Sequence, residues 1–260
     1  MKKLIFLLSF FLSAFNLLGQ DFQTPFEKSN ENETATYFQC IEFYKKLAAR
    51  YSAVITIRTC GLTDAGYPLH LVIFNSAGKL NRSQWKEDLR ILINNGIHPG
   101  EPDGIDASMM LIRDAASGKI KIPANVVLAV IPVYNIGGAL NRNSFSRVNQ
   151  EGPVSYGFRG NAQNLDLNRD FTKCDSRNAQ SFAEIFHFID PEIFVDNHVS
   201  DGADYQHTMT LLTTQHNKLG GPIGNYLHEV FEPAIYSNME KKNWPLTPYV
   251  NFYSADPDKG

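Results

Sequence analysis

The feature that most constrains this chain is an alternation. Apolar runs of strand length, "RILIN" (90–94), "NVVLAVIPV" (125–133) and "EIFVDNH" (192–198), are separated by stretches with helical spacing. Between the first two, Ile105, Met109, Ile112 and Ala116 share one helical face over 103–116. Before the third, "RNAQSFAEIFHFI" (177–189) reads as another helix. Two earlier runs, "AVITIRTC" and "LHLVIF", are joined through the turn residues "DAGY" and read as an antiparallel pair. Upstream, Tyr37, Ile41, Tyr44 and Leu47 recur at spacings of four and three behind a threonine cap, which predicts an amphipathic helix. The expected class is therefore α/β: a single domain with a mixed parallel/antiparallel sheet flanked by helices. After "HTMTLLTT", the stretch 219–242 is expected to be largely helical, interrupted at Pro222 and Pro233.

The chain has 260 residues, 43% hydrophobic and 20% charged, without a low-complexity tract. That composition argues against disorder. The first twenty residues carry Lys2 and Lys3, then an apolar stretch from Leu4 to Leu18, then Gly19 before a polar segment. This is the pattern of a signal peptide (1–20), and it places the mature chain outside the cytoplasm, secreted or periplasmic. Residues 21–34 are expected to form a loose polar segment and 35–260 the folded domain. No later run is long enough to span a bilayer. The 24 basic and 27 acidic side chains give −3, and loss of Lys2 and Lys3 makes it −5. An acidic chain without a basic block is a poor partner for nucleic acid. Cys40, Cys60 and Cys174 are too few for a disulfide scaffold and lack CxxC spacing, so they read as small core residues.

The turn "GIHPGEPDG" carries His98 and Glu101 between a strand and a helix. That places both at the C-terminal edge of the sheet, where open α/β sheets bind ligands. An imidazole nitrogen and a carboxylate oxygen three residues apart can converge on one metal ion, and they suit zinc. His198 leaves "EIFVDNH" at the same edge and is the candidate third ligand, with His207 as a rival. Asp196, two residues earlier on the same face of an extended chain, is placed to hold His198. Between Asn135 and Asn168 lies a long Gly-rich polar stretch without periodicity, and such loops are usually functional. It runs into "YGFRGNAQNLDLNRDF" (156–171), which groups Arg159, Asn168 and Arg169 as a candidate grip for a carboxylate and Asp166 as an acceptor for a histidine.

Taken in order, "HPGE", "FRGNAQNLDLNRDF" and "DNH" resemble the zinc carboxypeptidases of the M14 type, the carboxypeptidase A-like fold. The resemblance implies one Zn²⁺ per chain on His98, Glu101 and His198. It implies that Asn168 and Arg169 hold the terminal carboxylate of a peptide substrate, that Arg159 polarises the scissile carbonyl, and that Asp166 orients His98. The family also uses a late glutamate as general base, preceded by a tyrosine. Here only Glu229, Glu232 and Glu240 follow His198, none on a late strand, and Tyr249 and Tyr253 are weak substitutes for the tyrosine. The expectation is a metallocarboxypeptidase whose C-terminal part, with that glutamate, lies beyond Gly260. The alternatives are a same-fold amidase or deacylase acting on cell-wall peptides or acyl-amino acids, and a non-catalytic fragment that binds zinc and carboxylate.

Overall fold

Thr36 starts the first long helix. Its hydroxyl accepts from the Gln39 amide at 3.3 Å, and the Gln39 side chain accepts from the Thr36 amide at 2.9 Å. This reciprocal cap satisfies donors that a helix start leaves open. The protein is described by a computed structural model over residues 22–148, 150–200 and 205–249. The expected signal segment (1–20) lies outside the described residues. By its contacts the chain divides into two compact units, Met1–Val199 and Ser200–Gly260, and the division falls inside the span 35–260 expected as one domain.

In the first unit, α1 is a single turn, Pro25–Lys28, and α2 is Tyr37–Arg50. The strands are β1 (Ile55–Leu62), β2 (Pro68–Phe74), β3 (Leu89–Asn94), β4 (Val126–Ile131) and β5 (Ile193–Asp196). The remaining helices are α3 (Asp103–Ala116), α4 (Ile136–Leu140) and α5 (Arg177–Ile189). The sheet order is β1-β2-β4-β3-β5. β1, β2 and β4 pair antiparallel, whereas β3 runs parallel to both β4 and β5. The sheet is mixed, as the sequence pattern predicts. β2 and β4 are buried along nearly their whole length, which explains why their sequences lack polar alternation.

The helices supply the covering layers. Tyr37, Cys40, Ile41, Tyr44 and Leu47 bury one stripe of α2, and Ile105, Met109 and Ile112 bury one of α3. Burying each such side chain contributes on the order of 1.5–3 kcal/mol. α5 packs on β1, where the Ser181 hydroxyl donates to the Leu62 carbonyl at 2.8 Å. A Cβ on Gly61 would meet that hydroxyl at 2.3 Å, so a side chain there would push α5 off the strand.

One carboxylate is buried beneath the first turns of α3. Asp106 accepts from the Thr34 hydroxyl and from the Ala35 amide, the latter at 3.2 Å. Burial pushes its carboxyl up to about 6, against the opposing effect of those two bonds.

The second unit pairs β6 (Met209–Leu211) with β7 (Leu246–Pro248) in parallel. Its helices are α6 (His216–Leu219), α7 (Gly221–Tyr226) and α8 (Glu232–Glu240). The chain breaks at Gly220 and Gly221, at φ 61 and 55, and Pro222 then sits in the first turn of α7. The interruption expected at Pro233 does not occur. A π-helical turn, Leu227–Phe231, joins α7 to α8. Its wider hydrogen-bond spacing gives the ladder room for the N–H that Pro233 lacks.

Candidate metal centre

β3 and β5 lie side by side, and Asn94 is in register with Asp196. The turns leaving these two strands therefore start level. The strand order also reverses here, since β4 and β5 lie on opposite sides of β3. Such a reversal opens a crevice at the C-terminal strand ends. After β3, Gly96 takes φ 65, a conformation that costs glycine little. Two residues on, His98 is 2% exposed and Glu101 4%.

His98 Nδ1 lies 3.2 Å from Glu101 Oε1, and His198 Nδ1 lies 2.9 Å from Glu101 Oε2. One ligand atom from each of the three residues falls within 4.8 Å of the others. Among the described residues this is the one such group, and His207 is not in it. Two imidazole nitrogens and a carboxylate oxygen are the donor set of a catalytic zinc site, which leaves a fourth position open.

The outer ring nitrogens also face carboxylates. His98 Nε2 is 3.0 Å from Asp166 Oδ1, and His198 Nε2 is 3.1 Å from Asp196 Oδ2. Each pairing turns the Nδ1 lone pair towards the centre and raises its basicity. Asn94, on β3, donates to Asp196 Oδ1 at 2.9 Å and holds that carboxylate in turn. Burial alone would raise the Glu101 carboxyl. Hydrogen bonds from His198 and His98, the charge on His98 and the Val199 amide outweigh it and hold the carboxyl well below the usual range. Burial alone would lower His198, but Asp196 and Glu101 raise it to about 9.

Two arginines border the triad. Arg159 places Nε and one terminal nitrogen on Asp166 Oδ2, at 3.1 and 2.9 Å, while its other nitrogen stands 3.4 Å from His98 Nδ1. Its carbonyl is tied to the Asn135 side chain at 2.9 Å, which fixes the segment against α4. Asn168 and Arg169 form a 3-10 turn with Leu167 directly after Asp166. The Asn168 amide donates to Asp166 Oδ1 at 3.0 Å, and the Arg169 guanidinium is exposed, with one nitrogen on the Asn168 carbonyl at 2.8 Å. Arg147, which sequence reasoning did not single out, donates to Glu101 Oε1 at 2.7 Å. Its only advance signal is its place in the long unpatterned stretch. Asn94 gave none, because it reads as the last residue of a strand.

A family model described as zinc carboxypeptidase matches residues 40–218. Carboxypeptidase 2 of Trichophyton rubrum is 27% identical over 135 residues, 51% of this chain and 22% of that protein. The crystal structure of carboxypeptidase A from Helicoverpa armigera aligns over 82% of this chain and 55% of its own, with a TM-score of 0.61 and 13% identity. A metallo-carboxypeptidase from Burkholderia cenocepacia aligns over 84% and 54%, with a TM-score of 0.55 and 17% identity. The chain thus spans about half the length of these solved relatives.

Proposed function

Since the chain belongs to the zinc carboxypeptidase family, we infer that it is a zinc-dependent metallocarboxypeptidase that removes residues from the C-terminus of peptides. The observation that carries this reading is the convergence of His98, Glu101 and His198 within 4.8 Å, at the level ends of two neighbouring parallel strands. The donor chemistry fits zinc. Both histidines present Nδ1 inward, and both are held from behind by aspartates. Zinc bound there supplies a Lewis acid and lowers the pKa of a coordinated water.

The chain's own residues do the rest. Asp166 and Asp196 fix the imidazole planes. Arg159, forked on Asp166, presents its remaining nitrogen beside His98, where negative charge on a scissile carbonyl oxygen develops. Asn168 and the exposed Arg169 offer a donor pair for a terminal carboxylate, which makes cleavage exo. Glu229, Glu232 and Glu240 lie on the helical run 221–240 rather than on a strand, and we assign the general base to none of the three. Export of the chain rests on the pattern of its first twenty residues. No helix among the described residues is long and apolar enough to cross a membrane.

Metal analysis of the wild type beside His98→Ala, followed by hydrolysis of an N-blocked dipeptide and its C-terminal amide, tests this reading. One zinc per wild-type chain, little in the variant, and release from the free acid at least ~10²-fold faster than from the amide support it. Absence of stoichiometric zinc in the wild type overturns it. Zinc without turnover favours a module that binds zinc and carboxylate. Equal rates on acid and amide favour a same-fold amidase.

A further inference from the structure

Arg147 is outside the donor set yet touches it. Its guanidinium donates to Glu101 Oε1 at 2.7 Å, and its side chain is only 12% exposed. A clamp of local contacts places it there. The Arg147 amide donates to the Tyr156 hydroxyl at 3.3 Å, and Tyr156 is 1% exposed. Asn143 and Tyr156 exchange backbone hydrogen bonds at 2.9 Å, closing the loop that carries Arg147. The Gln150 side chain donates to the Gly100 carbonyl at 3.0 Å. A Cβ on Gly100 would stand 2.8 Å from Arg147 Cδ, so only glycine lets the arginine stem cross the turn.

We propose that Arg147 is a positioning residue that acts on the bound metal through Glu101, orienting the carboxylate and weakening its hold on a dication. This rests on the zinc reading above. Asp166 and Asp196 accept from histidines and so strengthen them as donors. Arg147 does the reverse. An N–H on a carboxylate oxygen draws off electron density that the oxygen would otherwise give to a metal, and the fixed positive charge repels a cation nearby. The Val199 amide holds Glu101 Oε2 at 3.1 Å independently, so loss of the guanidinium does not release the carboxylate altogether. The net effect of removing Arg147 is a tighter site.

The test compares the wild type with Arg147→Met, which keeps the apolar stem, and Arg147→Lys, which keeps the charge. Zinc affinity is read by competition with a chromophoric chelator, and ligand geometry by the visible bands of the Co²⁺-substituted protein. Arg147→Met, freed of the repulsion between a fixed positive charge and a dication, is expected to bind zinc about tenfold tighter and to shift the cobalt bands, while Arg147→Lys stays near the wild type. Unchanged or weaker binding in Arg147→Met overturns the proposal, whatever happens to its melting temperature. If that variant does not fold, Arg147→Gln, also uncharged, is read by the same criteria. A wild type that takes up no zinc overturns the zinc reading itself. A wild type that takes it up beside an unresponsive Arg147→Met overturns only the role of Arg147.

Discussion

Glu101 and Asp106 lie close in sequence and are equally buried, at 4% exposure each. Their carboxyls nevertheless shift in opposite directions. Burial tends to raise both. Around Glu101 it is beaten by two histidines and a backbone amide, with the Arg147 guanidinium also on Oε1. Around Asp106 it wins, because the partners are a hydroxyl and one amide, Asp103 adds repulsion, and Arg142 is a weak counterweight. Burial therefore does not set the behaviour of a carboxylate here; the charge on its donors does. One carboxylate belongs to the group that could hold a metal ion, and the other ties the segment before α2 to the start of α3.

The largest break in this comparison comes from swapping each carboxylate for its amide. Glu101→Gln is expected to reduce bound zinc to about a tenth or less of the wild-type content, while Asp106→Asn leaves it unchanged. Equal zinc loss in the two variants contradicts the division of roles.

A smaller effect concerns pH. The folded Asp106 carboxyl titrates near 6, above its ordinary 3.8. Between those values the native state holds more protons than the unfolded one, so this group's contribution to stability falls as pH rises through the window. Over about two units the loss is on the order of 3 kcal/mol. Asp106→Asn mimics the protonated acid and lacks that slope. Denaturant unfolding of both proteins in chelator, from pH 3.5 to 7, is expected to show the variant gaining on the wild type. Parallel curves refute it.

The smallest effect is that of Thr34→Val. It removes the hydroxyl that donates to Asp106 and is expected to cost about 1 kcal/mol at neutral pH, with less cost in the Asp106→Asn background. The same cost in both backgrounds means that the hydroxyl stabilises something else.

Much of the architecture is legible in the chain because it is set locally. The helices 103–116 and 177–189 follow from apolar spacing. β3 follows from an apolar run that ends in glycines and prolines. The run through Pro233 stays helical against expectation, because a π turn is a solution that spacing alone does not reveal. His98, Glu101 and His198 were readable because strand ends mark an edge of the sheet. Arg147 and Asn94 were not, because each acquires its role only through a partner brought up by tertiary folding. Asp106 was hidden on a helix whose apolar stripe drew attention to its neighbours.

The ladder between β3 and β5 has a further consequence. It is pinned at one end by Arg90 and Glu192, whose backbone and side chains interlock, and at the other by Asn197, whose side chain donates to Asn95 Oδ1 at 2.8 Å. Gly104 must stay bare for this, since a Cβ there would strike Asn197 Cβ at 2.4 Å. A strand alternates faces with every residue, so sliding β5 by one step would turn Asp196 and His198 away from Glu101 without altering a single donor. The spacing of the two histidines, far apart in the chain, is thus measured out by strand pairing, and a fault in that ruler would be felt first where His98, Glu101 and His198 converge.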